Sequence, residues 1–164
     1  MNIRPIRADE WRELREIRLH ALADTPSAFG STFAEENERP DDWWRERAAL
    51  ASRALDRVTF VAEDGTRFRG LATGFRESAT HTHVHLFSMW VEPAARRSGV
   101  ARGLVQAVCE WARGLEARSV RLGVTVTNAP AIRLYESCGF APTGRTEPLP
   151  HTPTLLEQEM ERVL

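Results

Sequence analysis

The sequence predicts one mixed α/β domain, a central mixed and mostly antiparallel sheet flanked by helices, and three observations carry that expectation. Apolar positions in the first fifty residues recur at helical spacing, whereas from Val58 they alternate with a period of two. An apolar strand, Phe87-Ser88-Met89-Trp90-Val91, runs through a proline turn into a small-residue helix start at Gly99. At 164 residues the chain is long enough for one core and short for two, so residues 1–164 read as a single domain.

The elements follow in order. Ile3 to Arg7 reads as a short strand, and Asp9 as the N-cap of a helix carrying Trp11, Leu14, Ile17 and Leu22 and ending near Asp24-Thr25-Pro26. A loop from Ser27 to Arg39 mixes aromatics with acids, and Pro40 or Asp41 opens a second helix with Trp43, Trp44 and Leu50. Val58 to Glu63 is a strand, Asp64-Gly65 a hairpin turn, and Phe68 to Glu77 the returning strand. His81 to Val91 is a third antiparallel strand. The helix from Gly99 to about Ala112 presents Val100, Leu104, Val108 and Trp111 to a core, with Gly114 placed to end it. Ser119 to Thr125 is a buried strand, Pro130 to Ser137 a short helix, and Phe140 to Leu164 a final pair of strands. No repeat or linker marks a second domain.

Composition excludes several functions. A formal net charge of -1 gives no footprint for nucleic acid or a membrane surface, no apolar run approaches the roughly 20 residues that span a bilayer, and Met1 to Asp9 lacks a signal-peptide core. A cytoplasmic protein is expected. Cys109 and Cys138, the only cysteines, are too few for a disulfide framework, lack metal-site spacing, and read as small buried hydrophobes. All 22 basic residues counted as Lys+Arg are arginine.

The strand-turn-helix stretch suits an anion. A helix N-terminus offers unpaired amides and the positive end of the dipole. Gly99 and Ala101 keep that end open, while Arg96, Arg97 and Arg102 add positive charge suited to a pyrophosphate, and Ser98 and Val100 complete the turn. The pattern Arg96-x-x-Gly99-x-Ala101 resembles the acyl-CoA signature of the GNAT superfamily of N-acetyltransferases. About thirty residues on, Asn128-x-x-Ala131-x-x-x-Tyr135 before Gly139-Phe140 resembles the second signature of that superfamily. The likeness spans most of the chain from Val58 and is thinner over Met1 to Arg57.

The resemblance implies a GNAT-type fold and an N-acetyltransferase that moves the acetyl group of acetyl-CoA directly to an amine, with no metal and no enzyme nucleophile. A non-catalytic acyl-CoA binding or sensing domain is the alternative. Tyr135, the only tyrosine, would protonate the leaving thiolate; a core tyrosine is the plainer reading. Asn128 and Ala131 would meet the pantetheine or pyrophosphate region, with helix capping a compatible role for Asn128. Exposed amides near Met89, Trp90 and Val91 would hold the pantetheine. Cys138 has no histidine beside it in sequence and reads as a structural thiol.

For the general base, His81, His83 and His85 share one strand face, and the resemblance puts His85 first and His83 second, against the alternative of a solvated face. Glu35 and Glu36, with Phe29 and Phe33 as apolar walls, lie on the loop expected to border the acceptor pocket. The acceptor itself, a small-molecule amine or a protein or peptide amine, is left open, and the resemblance allows a homodimer.

Overall fold

The computed structural model describes every residue except Thr66. Seven strands form one sheet in the order β1-β2-β3-β4-β5-β7-β6: β1 (Asn2–Pro5), β2 (Arg57–Glu63), β3 (Phe68–Phe75), β4 (His83–Val91), β5 (Ser119–Thr125), β6 (Ala141–Leu149) and β7 (Thr152–Val163). Only β4 and β5 run parallel; the other neighbours are antiparallel. The connection between the parallel pair is α4 (Val100–Gly114), and α5 (Ala129–Ser137) follows β5. The opposite face carries α1 (Trp11–Asp24), α2 (Phe33–Asn37) and α3 (Asp41–Ser52).

The sheet therefore separates two cores. On one face Leu104, Val105, Val108 and Cys109 of α4 pack over Ala72, Val84, Leu86, Val120 and Leu122. On the other, Trp11, Leu14, Ile17 and Leu22 of α1 and Trp44 and Ala48 of α3 pack over Val61, Leu71 and Trp90. Alternation along β2, β3 and β4 sends successive side chains to the two layers, the pattern that marks these strands in the sequence. A Cβ on Gly74 would lie 2.9 Å from the Trp111 ring, so this glycine lets α4 settle directly on β3.

Several local expectations need correction. Helix α1 starts after Glu10, with no side-chain cap; the Glu10 carboxylate instead takes Arg4, at 2.6 and 3.0 Å, so Asp9 is not the cap. The stretch expected as a loop from Ser27 contains α2, capped by Thr32 Oγ1, after a 3-10 turn at Pro26–Ala28. Leu50 is exposed and Cys138 half-buried. Gly114 is the last residue of α4, and the left-handed position after it is Glu116, at φ 58°.

The side chain of Leu104 is fully buried between α4 and the sheet. Replacing it with Ala removes buried methyl groups and leaves a cavity, so Leu104→Ala should lower unfolding free energy by about 2–5 kcal/mol in urea titration with an unchanged m-value.

Candidate active site

The site begins where the parallel pair comes apart. β4 and β5 are in register only from His83 opposite Ser119 to His85 opposite Arg121. Beyond that point β4 carries an extra residue: Leu71 faces Trp90 while Thr73 faces Phe87, which leaves Ser88 and Met89 in a bulge. Ser88 sits at φ 53°, a left-handed conformation costing a non-glycine residue about 1–2 kcal/mol. The bulge turns β4 away and leaves its edge and that of β5 unpaired. A cavity of about 270 Å3 occupies the gap, bordered by Ser88 and Met89 on one side, Gly123 and Thr125 on the other, and Asn128, Ala131 and Tyr135 behind.

A buried ion pair holds the bulge. Arg18 of α1 donates to Ser88 Oγ at 3.0 Å and, through Nε and Nη2, forks onto Glu36 of α2 at 3.0 and 2.9 Å. Both charged residues are buried, at 5% and 4% exposure. Burial alone would raise the Glu36 carboxyl, but the Arg18 hydrogen bonds and charge outweigh it and hold the group below its ordinary range. Arg47 lies 3.6 Å from the same carboxylate; burial, together with Arg18, pushes it down to about 10, so it too stays charged at neutral pH. The Arg18 guanidinium also stacks on Phe29, 4.7 Å from the ring centre.

The turn into α4 makes a cradle of amides. Arg97 at φ 62° and Gly99 at φ 87° are both left-handed, and Gly99 is the N-cap. After Arg96, the first amide with a backbone partner among the described residues is that of Gly103, which donates to the Gly99 carbonyl. The intervening N–H groups are free at the positive end of the helix. The Arg96 side chain is committed elsewhere, donating to the Val91 carbonyl at 2.8 Å and to Asp24 at 2.6 Å. Asp24 also accepts from the Trp90 indole, and these bonds hold its carboxyl low. The positive charge lining the space beside Gly99 is that of Arg162 and of Arg102, which is anchored to the carbonyl and hydroxyl of Ser137.

Tyr135, on α5, is 7% exposed, meets the Phe140 ring edge-on at 5.9 Å, and forms no hydrogen bond among the described residues. Burial raises its phenol well above the ordinary value, so the hydroxyl keeps its proton. Asn128 caps α5 by accepting from the Ala131 amide at 3.3 Å, and its side-chain NH2 is free to face the cavity.

The far side of the gap is closed by the segment before α2. Phe29 is buried, and its carbonyl accepts from His151 Nε2 at 2.6 Å, while Thr125 Oγ1 donates to the Ser27 carbonyl at 2.6 Å. A second cavity of about 150 Å3 adjoins the first along β5, and His85, Arg121, Arg145 and Glu147 line it. Gly123 and Glu157 border both.

Comparison with known proteins decides the family. The model described as the acetyltransferase (GNAT) family matches residues 10–140. The chain belongs to the GNAT acetyltransferase family. Among its relatives, an L-amino acid N-acetyltransferase of Escherichia coli is 30% identical over 82% of this chain and 81% of its own length. A mycothiol acetyltransferase of Acidothermus cellulolyticus is 31% identical over 80% of this chain; the match spans only 41% of that longer protein. The fold superposes on yncA of Salmonella typhimurium, solved with its cofactor acetyl-CoA, with a TM-score of 0.81 at 24% identity over 100% of this chain and 94% of that one. Spermidine N-acetyltransferase of Vibrio cholerae, in complex with CoA and spermine, gives 0.79 at 19% identity over 99% and 94% of the two chains.

Within this GNAT fold the expected residues separate into two groups. Met89, Asn128, Ala131, Tyr135 and Phe29 meet in one cavity, and Gly99 with its neighbours lies at the adjoining helix start. Trp90 and Val91 continue the open strand, but their side chains are buried in the cores. Glu36 faces Arg18 and Arg47 rather than the cavity, Glu35 is exposed and bonded to Ser31, and Phe33 lies on the outer face of α1. His83 and His85 stack edge to face, 4.8 Å between ring centres, with His81 beyond at 6.0 Å; among the described residues no group is placed to hold a metal ion. Partial desolvation and the Arg121 charge lower both His83 and His85, which keeps them neutral near pH 7. Arg18, Ser88, His151 and Glu157 were not singled out from sequence. Gly123 within an apolar strand and the alternating acids Glu157, Glu159 and Glu161 were the available signals for the last.

The buried pair predicts an acid dependence of stability. With its folded value depressed, ionised Glu36 contributes stability fully above its ordinary value of 4.5, and that contribution is lost as pH falls through the folded value. Glu36→Gln should therefore cost about 3–5 kcal/mol at pH 7 and give a flatter dependence below pH 4.5 than the parent, measured by urea melts at both pH values.

Proposed function

We propose that the protein transfers the acetyl group of acetyl-CoA directly to a primary amine while both substrates are bound, the amine being a small molecule or the amine of a peptide or protein. The observation that carries this is the gap between β4 and β5, lined by the single tyrosine Tyr135, with a separate polar cavity adjoining it across Gly123 and Glu157. Two approaches to one gap suit a ternary complex and leave no need for an acyl-enzyme. The relatives named as acetyltransferases of amino acids and of mycothiol support an amine acceptor of modest size.

The residues fit acetyl-CoA as a substrate. Free amides at Arg97 to Arg102 would receive the pyrophosphate, the unpaired edge of β4 near Met89 to Val91 the pantetheine amides, and Asn128 and Ala131 the far wall of that channel. The thioester supplies an activated carbonyl. Amides of the bulge would polarise it, and the Tyr135 phenol, kept protonated by burial, would donate to the sulfur as the C–S bond breaks. His85, neutral in the adjoining cavity, and behind it His83 can accept a proton through water. This reading places the protein in the cytoplasm with its donor.

Titration calorimetry should show acetyl-CoA binding that weakens at least tenfold in Gly99→Val, because a β-branched residue does not hold φ 87° at the cradle. Tyr135→Phe should bind acetyl-CoA as the parent does while thiol release across an amine panel falls about 100-fold. Absence of binding by the parent would overturn the scheme. Unchanged turnover in Tyr135→Phe would remove this tyrosine from the acid role, and a parent that binds acetyl-CoA without releasing thiol on any amine would favour a non-catalytic acyl-CoA binding domain.

A further inference from the structure

Among the described residues Glu157 is the one carboxylate that lines both cavities. It stands on β7 opposite Thr125, and its side chain leans across β5 to lie over Gly123. A Cβ at Gly123 would fall 2.9 Å from Oε1, 3.0 Å from the carboxyl carbon and 3.2 Å from Oε2, so the carboxylate occupies the space that a side chain on the central strand would take. Its neighbours are held differently. Glu161 takes Arg121, Glu159 accepts from Thr143 Oγ1, and Glu36 takes Arg18. Among the described residues Glu157 has no hydrogen bond or ion pair. It is a half-buried carboxylate with no bonded partner, facing a gap that ends at Tyr135.

Resting on the acetyl-transfer reading above, we propose that Glu157 receives the acceptor's ammonium group from the β5–β6–β7 cavity and takes its proton, with Gly123 as the residue that positions it. The proton passes from R–NH3+ to the carboxylate, giving the free amine and a carboxylic acid. The amine's electron pair forms the C–N bond at the thioester carbonyl. The C–S bond then breaks with its electron pair going to sulfur, which takes the Tyr135 proton; the phenolate takes one of the two protons on the new N+, which restores the phenol and leaves the neutral amide. Glu157 returns its proton to water through the open cavity. Apart from Leu122 and Gly123, every residue lining that cavity of about 150 Å3 is charged or polar, so the part of the acceptor that enters it is polar.

The surroundings suit the role. Burial, with the Glu147 charge from β6, raises the Glu157 carboxyl above its ordinary value and makes it a better proton acceptor than an exposed glutamate. The other charged or titratable groups lining its two cavities are Arg18 on α1, Tyr135 on α5, Arg121 on β5, Arg145 on β6, Glu159 on its own strand and the neutral imidazole of His85 on β4. Since the ionised form is the active one, kcat/KM should rise with pH through this raised value.

The experiment is steady-state thiol release from acetyl-CoA with spermidine, L-methionine and glycylglycine as acceptors, alongside acetyl-CoA titration of each variant. Glu157→Gln should bind acetyl-CoA within about twofold of the parent, lose about 100-fold or more in kcat, and lose the acid limb of the pH profile. Gly123→Ala keeps the carboxylate but displaces it, since only a flexible side-chain end stands in the way; it should fold normally and lose at least tenfold. Turnover by Glu157→Gln within threefold of the parent, or a loss confined to His85→Gln, overturns the assignment and leaves the acetyl-transfer reading standing. Parent protein that binds acetyl-CoA but accepts none of the three amines also overturns it. Failure of the parent to bind acetyl-CoA would overturn both.

Discussion

The arrangement of the site depends on the buried pair of Arg18 and Glu36. Two charges leave water at a cost of several kcal/mol each, and their mutual attraction is favourable only with good geometry and further hydrogen bonds. Here the fork is bidentate, and the remaining guanidinium arm goes to Ser88 Oγ. That third bond ties helices α1 and α2 to the one residue of β4 whose backbone is left-handed without being glycine. Strain of this kind persists where the surroundings over-determine it, and the result here is a parallel strand pair that opens. A well-packed apolar pair could stabilise the layer as much. It could not hold a serine at φ 53° by its hydroxyl.

The same logic recurs at the other end of the gap. Arg96, which heads the arginine-glycine turn, does not project toward an anion; it bonds the Val91 carbonyl and Asp24, and Asp24 takes the Trp90 indole. The turn is thereby fastened to both the open strand and the end of α1, and the free amides that follow are presented from a fixed frame. One strand bulge and one helix start are thus both held by side chains of α1.

Much of this frame was legible in the sequence, because it rests on local periodicity and on residues close along the chain. β5 was placed at Ser119 to Thr125, α4 and α5 within about two residues, and the turn at Gly99 by its small residues and charge. The misreadings share one cause. Glu36 resembles its exposed neighbour Glu35 in sequence, and only the approach of Arg18 and Arg47 from α1 and α3 distinguishes a buried counter-ion from a solvated acid. Ser88 gives no glycine signal for its bulge. Glu157 lies 34 residues beyond Gly123, and the vacancy that the glycine makes has meaning only once β7 is paired beside β5. Long-range pairing, rather than pattern, assigned those side chains.

The central claim is that the unpaired edge of β4 and the amides at the start of α4 form one donor site. Amide hydrogen exchange read by mass spectrometry, with and without saturating acetyl-CoA, tests it most directly. Peptides covering residues 88–91 and 97–102 should gain protection together, with little change over β1 and β2. Protection confined to other segments, or none despite demonstrated binding, would contradict the account.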